Sequence, residues 1–274
     1  MESSQTEVDD CIAFGKAEYK NNPAQLAKIK EFQETYSFER ALWWYSRQSF
    51  IYRILMTAVH QQSIRLLFLL RFWIRDIYRQ LKDAQCHVPM RVYWGGWKSN
   101  DDFDLLQASV GKLISINTFL STSANRTVAL SFLKHSPDHS KKLLYEITVN
   151  PQTIPNRPFA DISSHSFYPS EKEVLFMIGS TFRIDNIYCA DNGIWTIRMS
   201  LAAANEYNWE MFLQQIKKVS KEDGRLDIVT YGRILCQIGR YDKAETYYQR
   251  LLNEFPLDNH LSSIVHSELQ KISS

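Results

Sequence analysis

The chain has 274 residues, of which 45% are hydrophobic, so it is long enough to bury a substantial core. Its 32 basic and 30 acidic residues leave a net charge of +2, which argues against a general nucleic-acid binder because phosphate neutralisation needs a clear basic excess. Residues 1–10 are polar and acidic, unlike a signal peptide, and the four cysteines are widely spaced without a CxxC pair, so we expect an intracellular, cytoplasmic protein.

The first 85 or so residues predict a helical region. Apolar residues recur at intervals of three and four between Phe38 and Leu81, which places them on apolar helix faces. Pro23 is suited to the start of a helix, because its missing N–H costs nothing there. A break near Gln61 and Ser63 is expected to divide the long apolar run into two helices.

From residue 90 the apolar pattern changes to alternation, which is typical of strands. MRVYWGG predicts a strand that runs into a glycine turn, and Asp191-Asn192-Gly193 predicts a hairpin turn. Residues 124–135 predict a helix capped by Ser123 or Asn125. Five further strands are predicted, in the segments LISINTFLS, LLYEITV, EVLFMI, FRIDNIYCA and IWTIRMSLA. The fold class is therefore α+β, with N-terminal helices and a split, mostly antiparallel sheet.

The C-terminal part returns to helical patterning after Leu201. Residues 226–256 match one tetratricopeptide-like helix pair, with small residues where two helices would touch and a proline that closes the unit. One repeat buries its face poorly, so it either packs on the upstream domain or belongs to a longer protein. The predicted organisation is a domain at 1–203, with a helical part at 1–85 and a β core at 88–203, and a helical region at 204–274.

Two glutamates, Glu171 and Glu173, open one of the predicted strands. In an extended segment, residues two apart share a face and lie roughly 7 Å apart. A carboxylate beneath a ribose stabilises the positive charge that develops as an N-glycosidic bond stretches, and a second one can orient a cationic nucleophile. Ser121, in the segment FLSTS, can bind the ribose or hold the catalytic carboxylate.

FLSTS followed by a helix, and EKEVLF followed by MIGSTFRI, resemble the mono-ADP-ribosyltransferases of the Arg-Ser-Glu class. In detail the chain resembles the arginine-specific members that carry tetratricopeptide repeats. The resemblance covers residues 30–200, and the repeat match extends it to the end. It implies a reaction in which NAD⁺ is the substrate, no metal takes part, nicotinamide leaves and ADP-ribose passes to an arginine of a protein acceptor.

The same resemblance implies roles for individual residues. Glu173 would stabilise the oxocarbenium ion, and Glu171 would orient the acceptor arginine. Ser121 would be the motif serine, supported by its neighbours Thr122 and Ser123. The dinucleotide site would also include the first motif, whose members are Tyr93, Trp94 and Gly95. The loop that meets the acceptor would contain Phe167 or Tyr168.

The first motif departs from the family pattern, because tryptophan stands at position 94 where an arginine is usual. Trp94 has no positive charge, and the loss of a charge-assisted phosphate contact costs roughly 1.5–3 kcal/mol of binding. Arg91 lies roughly 10 Å away and is expected on the opposite face of the strand from Trp94. Lys98 or an arginine of the helical region could compensate, and Trp94 itself could stack on a ring of the ligand.

Two alternatives remain open from the sequence. One is a catalytically silent relative that acts as a binding module through its cleft and helical repeats. The other is a helical-repeat adaptor unrelated to NAD⁺. In either case a peptide or protein partner is expected at the tetratricopeptide-like region, and neither nucleic acid nor a membrane is expected as a partner.

Overall fold

The structure is a computed structural model that describes residues 5–61, 63–135, 140–150, 157–190, 193–203, 228–237, 241–256 and 258–273. These residues form eleven α-helices, three short 3-10 turns and eight β-strands. Helices precede the strands and follow them again, as the sequence predicts. None of the helices in the described ranges is long and apolar enough to cross a bilayer.

The N-terminal layer consists of six helices. They are α1 (Gln5–Glu18), α2 (Pro23–Thr35), α3 (Ala41–Ser46), α4 (Phe50–His60), α5 (Ile64–Leu69) and α6 (Arg71–Asp83). Helix α2 begins at Pro23, as predicted, and the side chain of Asn22 accepts a hydrogen bond from the backbone N–H of Gln25. The predicted break near Ser63 is also present, because Ser63 caps α5 through Leu66. The helices bury an aromatic-rich core that includes Phe32, Trp44, Phe50, Phe72 and Trp73.

The strands form one eight-stranded sheet in the order β2-β7-β8-β4-β1-β3-β6-β5. They are β1 (Met90–Lys98), β2 (Leu113–Ile116), β3 (Leu120–Ser123), β4 (Lys141–Val149), β5 (Phe159–Asp161), β6 (Glu173–Phe176), β7 (Ser180–Cys189) and β8 (Trp195–Leu201). The pair β4–β8 is parallel, and the other pairs are antiparallel. Two helices lie between strands, α7 (Asn100–Gln107) and α8 (Arg126–Ser131).

The sheet folds back on itself around a second apolar core. Strands β6 and β7 are separated by four others in the sheet, yet the rings of Phe176 and Phe182 lie 5.4 Å apart. Val92, Tyr145 and Ile197 belong to this inner cluster. Leu175 and Ala160 belong instead to the helical cluster, so the α1–α6 layer covers the outer face at one end of the sheet.

Some details of the predicted elements are wrong. The segment LISINTFLS forms two strands instead of one, because β2 ends at Ile116 and pairs with β7, whereas β3 begins at Leu120 and pairs with β1 and β6. Gly95 and Gly96 lie inside β1, where they pair with Leu144 and Leu143, rather than in a turn. Gly95 permits close packing of α8, because a Cβ there would lie 2.0 Å from the carbonyl oxygen of Ala129. The predicted helix at 124–135 is shorter, since α8 ends at Ser131 and continues as a 3-10 turn; its cap is Asn125, one of the two expected.

The C-terminal helices are α9 (Thr230–Gln237), α10 (Tyr241–Glu254) and α11 (Asn259–Ser273). Helices α9 and α10 approach closely at Gly232, where a Cβ would lie 2.3 Å from the buried ring of Tyr248. Helix α10 also contacts the N-terminal layer, because Glu254 accepts hydrogen bonds from the first residues of α5. The tetratricopeptide assignment and the domain boundary at 203/204 stay predictions. Residues 191–192 of the predicted hairpin turn, residues 204–227 of the predicted helical region and residue 239 of the predicted repeat lie outside the described residues.

Candidate active site

The three hydroxyl residues of FLSTS form hydrogen bonds from β3 to the segment that carries the two glutamates. Ser121 Oγ donates a hydrogen bond to Glu173 Oε1 at 2.5 Å. Thr122 Oγ1 donates to the backbone carbonyl of Val174, and Ser123 Oγ donates to that of Glu171, each at 2.6 Å. The structure therefore brings the serine triplet and both glutamates together, and Ser121 contacts the carboxylate directly.

The pairing register aligns polar residues of five neighbouring strands in one row on the outer face of the sheet. From β8 to β6 the row contains Arg198, Glu146, Tyr93, Ser123 and Glu173. The residues next to them along the strands, such as Tyr145 and Val174, face the inner core instead. Both ends of the row therefore carry charge, with the Glu173 carboxylate at one end and the Arg198 guanidinium at the other.

Glu171 does not continue the strand as predicted. It ends a 3-10 turn that begins at Pro169, and Lys172 adopts a left-handed conformation with φ 47°, so that β6 begins only at Glu173. The alternation rule for an extended segment therefore does not apply to this pair. Both carboxylate residues nevertheless line the same cleft, because the turn directs Glu171 toward it.

Burial is the main influence on Glu173, which is 5% exposed. It raises the pKa of the Glu173 carboxyl to about 6. The hydrogen bond from Ser121 lowers this pKa, and the negative charge of Glu171 raises it. Glu173 is thus ionised at neutral pH, although burial destabilises the ionised form. A cationic group bound beside it would offset that destabilisation, which suits a carboxylate that stabilises positive charge.

Two tyrosines of the helical layer face Glu173. Tyr45 of α3 is buried, Tyr52 of α4 is half-buried, and their rings lie 5.6 Å apart. Burial raises the pKa of both phenols, and the negative charge of Glu173 raises them further. The sequence did not reveal these residues, because nothing in the local pattern distinguishes them from ordinary core aromatics.

Helix α8 and the 3-10 turn that follows it form another wall of the cleft, beside the strands that carry Ser121 and Glu173. Val128, Ala129 and Phe132 line the cleft together with Ser121 and the two glutamates. The free space between these side chains is about 30 Å³. A larger cavity of about 440 Å³ lies between the N-terminal layer and α10 and contains none of the predicted site residues.

Trp94 contributes to the cleft wall, but its ring is directed elsewhere. The indole stacks on Tyr145 with 4.5 Å between ring centroids and packs against the inner core. Adjacent residues of a strand point to opposite faces, so Arg91 and Tyr93 share the face of Glu173. Arg91 is on the opposite face of β1 from Trp94, as predicted, but that face is the one that carries Glu173, and Trp94 is the residue that faces away from it.

The predicted acceptor loop is anchored to α3. Phe167 and Tyr168 are 39% and 44% exposed. The backbone N–H of Phe167 donates to Ser46 Oγ at 2.7 Å, and the Phe167 ring lies 5.4 Å from that of Trp43. The guanidinium of Arg47 lies 5.5 Å from the Phe167 ring. The loop thus presents two exposed aromatic rings beside Glu171 on a fixed helical base.

Comparison with known proteins gives a result at the level of structure. No protein-family model matches the chain, and no curated protein sequence matches it. The solved structure of Vis toxin, an ADP-ribosyltransferase from Vibrio splendidus, has a TM-score of 0.51 and 21% identity, and the match covers 76% of this chain and 90% of that one. ADP-ribosyltransferase HopU1 of Pseudomonas syringae pv. tomato DC3000 has a TM-score of 0.50 and 18% identity, with 73% and 99% covered.

The chain has the ADP-ribosyltransferase fold. At these identities the likeness concerns the fold, and chemistry has to be argued from the site residues themselves. The fold expected from FLSTS and EKEVLF is confirmed. The catalytic, dinucleotide-binding and acceptor-binding roles assigned from the sequence stay predictions, although the residues concerned surround one cleft or border it.

Proposed function

We propose that the protein is a mono-ADP-ribosyltransferase that transfers ADP-ribose from NAD⁺ to an arginine side chain of a protein acceptor. The single observation that supports this most is the hydrogen bond between Ser121 and the buried Glu173 carboxylate, 2.5 Å long, at the base of the cleft. The serine fixes the carboxylate in one orientation without neutralising it. A fixed negative charge is what a developing oxocarbenium ion requires.

In the proposed reaction the bond between the ribose anomeric carbon and the nicotinamide nitrogen breaks. The bonding electron pair leaves with nicotinamide, which becomes neutral, and the ribose carries the positive charge that Glu173 stabilises. A guanidine nitrogen of the acceptor then attacks the same carbon. Glu171, which lines the same cleft, orients the guanidinium and accepts the proton that is lost.

The choice of arginine as acceptor depends on Glu171 and on the loop before it. A carboxylate binds a planar guanidinium through two hydrogen bonds and so favours arginine over a neutral nucleophile. The exposed rings of Phe167 and Tyr168 would contact the surface around that arginine. The C-terminal helices, for which we propose a tetratricopeptide-like role, offer a separate surface for a protein partner; the close contact of Gly232 with Tyr248 supports this assignment.

The direct test uses the purified chain with NAD⁺ labelled in the adenosine half and agmatine as a soluble arginine analogue. We expect labelled ADP-ribosyl-agmatine together with free nicotinamide. Lysine and cysteine derivatives in place of agmatine should give no product. If NAD⁺ binds but is neither cleaved nor transferred to any acceptor, the silent binding module is the better description and the proposal fails.

The ionisation of Glu173 should control the pH dependence of NAD⁺ hydrolysis, which needs no arginine acceptor. The acid limb of kcat/KM should lie near pH 6, because the charged form is required and the pKa is raised to about 6. Ser121→Ala should move the limb to higher pH, since it removes the bond that lowers this pKa. Glu171→Gln should move it to lower pH. Unchanged limbs in both variants would contradict this assignment.

Trp94→Arg should not restore a missing phosphate contact. The indole stacks on Tyr145 and packs on the inner core, so an arginine there would lose packing and bring a charge toward an apolar cluster. We expect the free energy of unfolding to fall by roughly 1–3 kcal/mol, with no gain in NAD⁺ affinity. Urea denaturation and NAD⁺ titration would measure both. Tighter NAD⁺ binding at unchanged stability would show that position 94 faces the phosphates.

A further inference from the structure

Two arginines share one partly buried carboxylate on the outer face of the sheet. Arg126, the first residue of α8, places Nε 3.8 Å from Glu146 Oε1. Arg198 of β8 places Nε 3.6 Å from Glu146 Oε2. The Glu146 side chain is 13% exposed, whereas those of Arg126 and Arg198 are 48% and 55% exposed. The carboxylate therefore lies between two guanidinium groups whose side chains remain about half exposed.

The position of this cluster relative to Glu173 follows from the register. Glu146 and Arg198 stand in the same row as Tyr93, Ser123 and Glu173. Glu146 and Glu173 are three strand spacings apart, roughly 14 Å. Arg126 comes from the helix whose later residues form the cleft wall, so its side chain spans part of this interval. The two cations thus lie on the same face of the sheet as Glu173, at a distance that an extended dinucleotide can cover.

The charge balance of the cluster favours an anionic ligand. Two guanidinium groups facing a single carboxylate leave a net charge of +1. Each guanidinium has five N–H donors in a planar fork, and a long contact through Nε leaves its terminal nitrogens for another acceptor. Arg198 is further fixed by Tyr188, whose ring centroid lies 5.0 Å from the guanidinium carbon. A pyrophosphate, with paired oxygens and two negative charges, matches such a pair of forks.

We propose that Arg126 and Arg198, held by Glu146, bind the pyrophosphate of the dinucleotide and supply the positive charge that Trp94 does not. This inference rests on the proposed function and assigns the phosphate-binding part of the same site. Glu146 is a positioning residue, because it acts on the ligand only through the two arginines. Glu173 at the other end of the row then lies beside the nicotinamide ribose.

The test compares Arg126→Gln, Arg198→Gln and the double variant with the wild-type chain. ADP-ribose carries the pyrophosphate, and nicotinamide riboside lacks it. Each single substitution should weaken ADP-ribose binding roughly tenfold and the double substitution roughly a hundredfold, because a charge-assisted contact is lost each time. Binding of nicotinamide riboside should not change. Lysine at either position should recover part of the lost ADP-ribose affinity, because it keeps the positive charge but not the planar set of donors of a guanidinium group.

Arg233→Gln is the matched control, because Arg233 also shares a partly buried glutamate, Glu268, with a second cation, Lys271, in the C-terminal helices. It should leave ADP-ribose binding unchanged. Thermal unfolding of every variant separates a loss of folding from a loss of binding.

Three outcomes would overturn the assignment in distinguishable ways. In the first outcome the wild-type protein binds and cleaves NAD⁺, and the double variant binds ADP-ribose as tightly as the control Arg233→Gln does. The pyrophosphate then binds elsewhere, and the proposed function stands. If Arg91→Gln alone causes the hundredfold loss, Arg91 is the phosphate ligand. If the wild-type chain binds neither NAD⁺ nor ADP-ribose, the proposed function fails as well.

Discussion

Glu173→Gln should reduce both ADP-ribose transfer and NAD⁺ hydrolysis by roughly a hundredfold to a thousandfold, the usual effect of removing one preorganised electrostatic group. Glutamine keeps the size of the side chain and can still pair with Ser121 Oγ, so the cleft should keep its shape. Only the negative charge is lost. Single-turnover measurement of nicotinamide release with saturating NAD⁺ would separate a slower chemical step from weaker binding.

The same variant should be more stable than the wild-type protein near neutral pH. The pKa of Glu173 rises from 4.5 to about 6 on folding, so between these pH values the folded chain binds more protons than the unfolded one. Stability therefore falls as pH rises through this window, and above it the wild-type protein carries the full cost of roughly 1–2 kcal/mol. Glutamine has no such cost. The advantage should disappear below pH 4.5.

Urea denaturation near pH 7 and near pH 4 would measure this difference. Glu245→Gln, at an exposed position of α10, is the control and should change stability little at either pH. A Glu173→Gln protein that is inactive but less stable at neutral pH would contradict the view that the buried charge is costly. A fully active one would remove Glu173 from the reaction.

Gly95→Ala should cause the largest loss of stability among single methyl additions in the sheet. Its Cβ would lie 2.0 Å from the backbone oxygen of Ala129, and a backbone atom cannot turn aside as a side chain can. Helix α8 would have to move away from β1, at a cost of about 3 kcal/mol or more. Because α8 forms one wall of the cleft, the KM for NAD⁺ should rise as well.

Gly96→Ala is the natural comparison, since it adds the same methyl group one residue further along β1. There the nearest atom belongs to the Trp94 ring, at 3.3 Å, and a small rotation of that ring relieves the contact. The free energy of unfolding should therefore fall by less than 1 kcal/mol or so. Equal effects of the two substitutions in urea denaturation would mean that α8 does not pack on β1 as described.

Much of the fold follows from local patterns in the sequence. The periodic apolar residues of 1–85 give helices because tertiary packing there reinforces local preference, and Pro23 and Ser63 mark helix starts through their own backbone chemistry. The contact between Ser121 and Glu173 was also within reach, because two recognisable motifs point to adjacent strands.

The remaining features depend on information that no local window contains. The left-handed Lys172 between two glutamates follows from the turn that closes at Glu171, and lysine carries no signal for it. Gly95 and Gly96 look like a turn in the sequence, and only the neighbouring β4 and α8 show that they permit close packing. The row from Arg198 to Glu173 requires the register of five strands, which alternation alone leaves undetermined.

The contact of α10 with α5 has a consequence for how the protein would respond to truncation. Glu254 accepts hydrogen bonds from Ser63 Oγ and from the backbone N–H groups of Ile64 and Arg65, so a distant carboxylate completes the start of an N-terminal helix. A shortened chain that ends before α9 would expose these donors and the apolar contact made by Ile64. Amide hydrogen exchange at the beginning of α5 would then become faster. The C-terminal helices therefore stabilise the N-terminal helical layer, which faces the cleft.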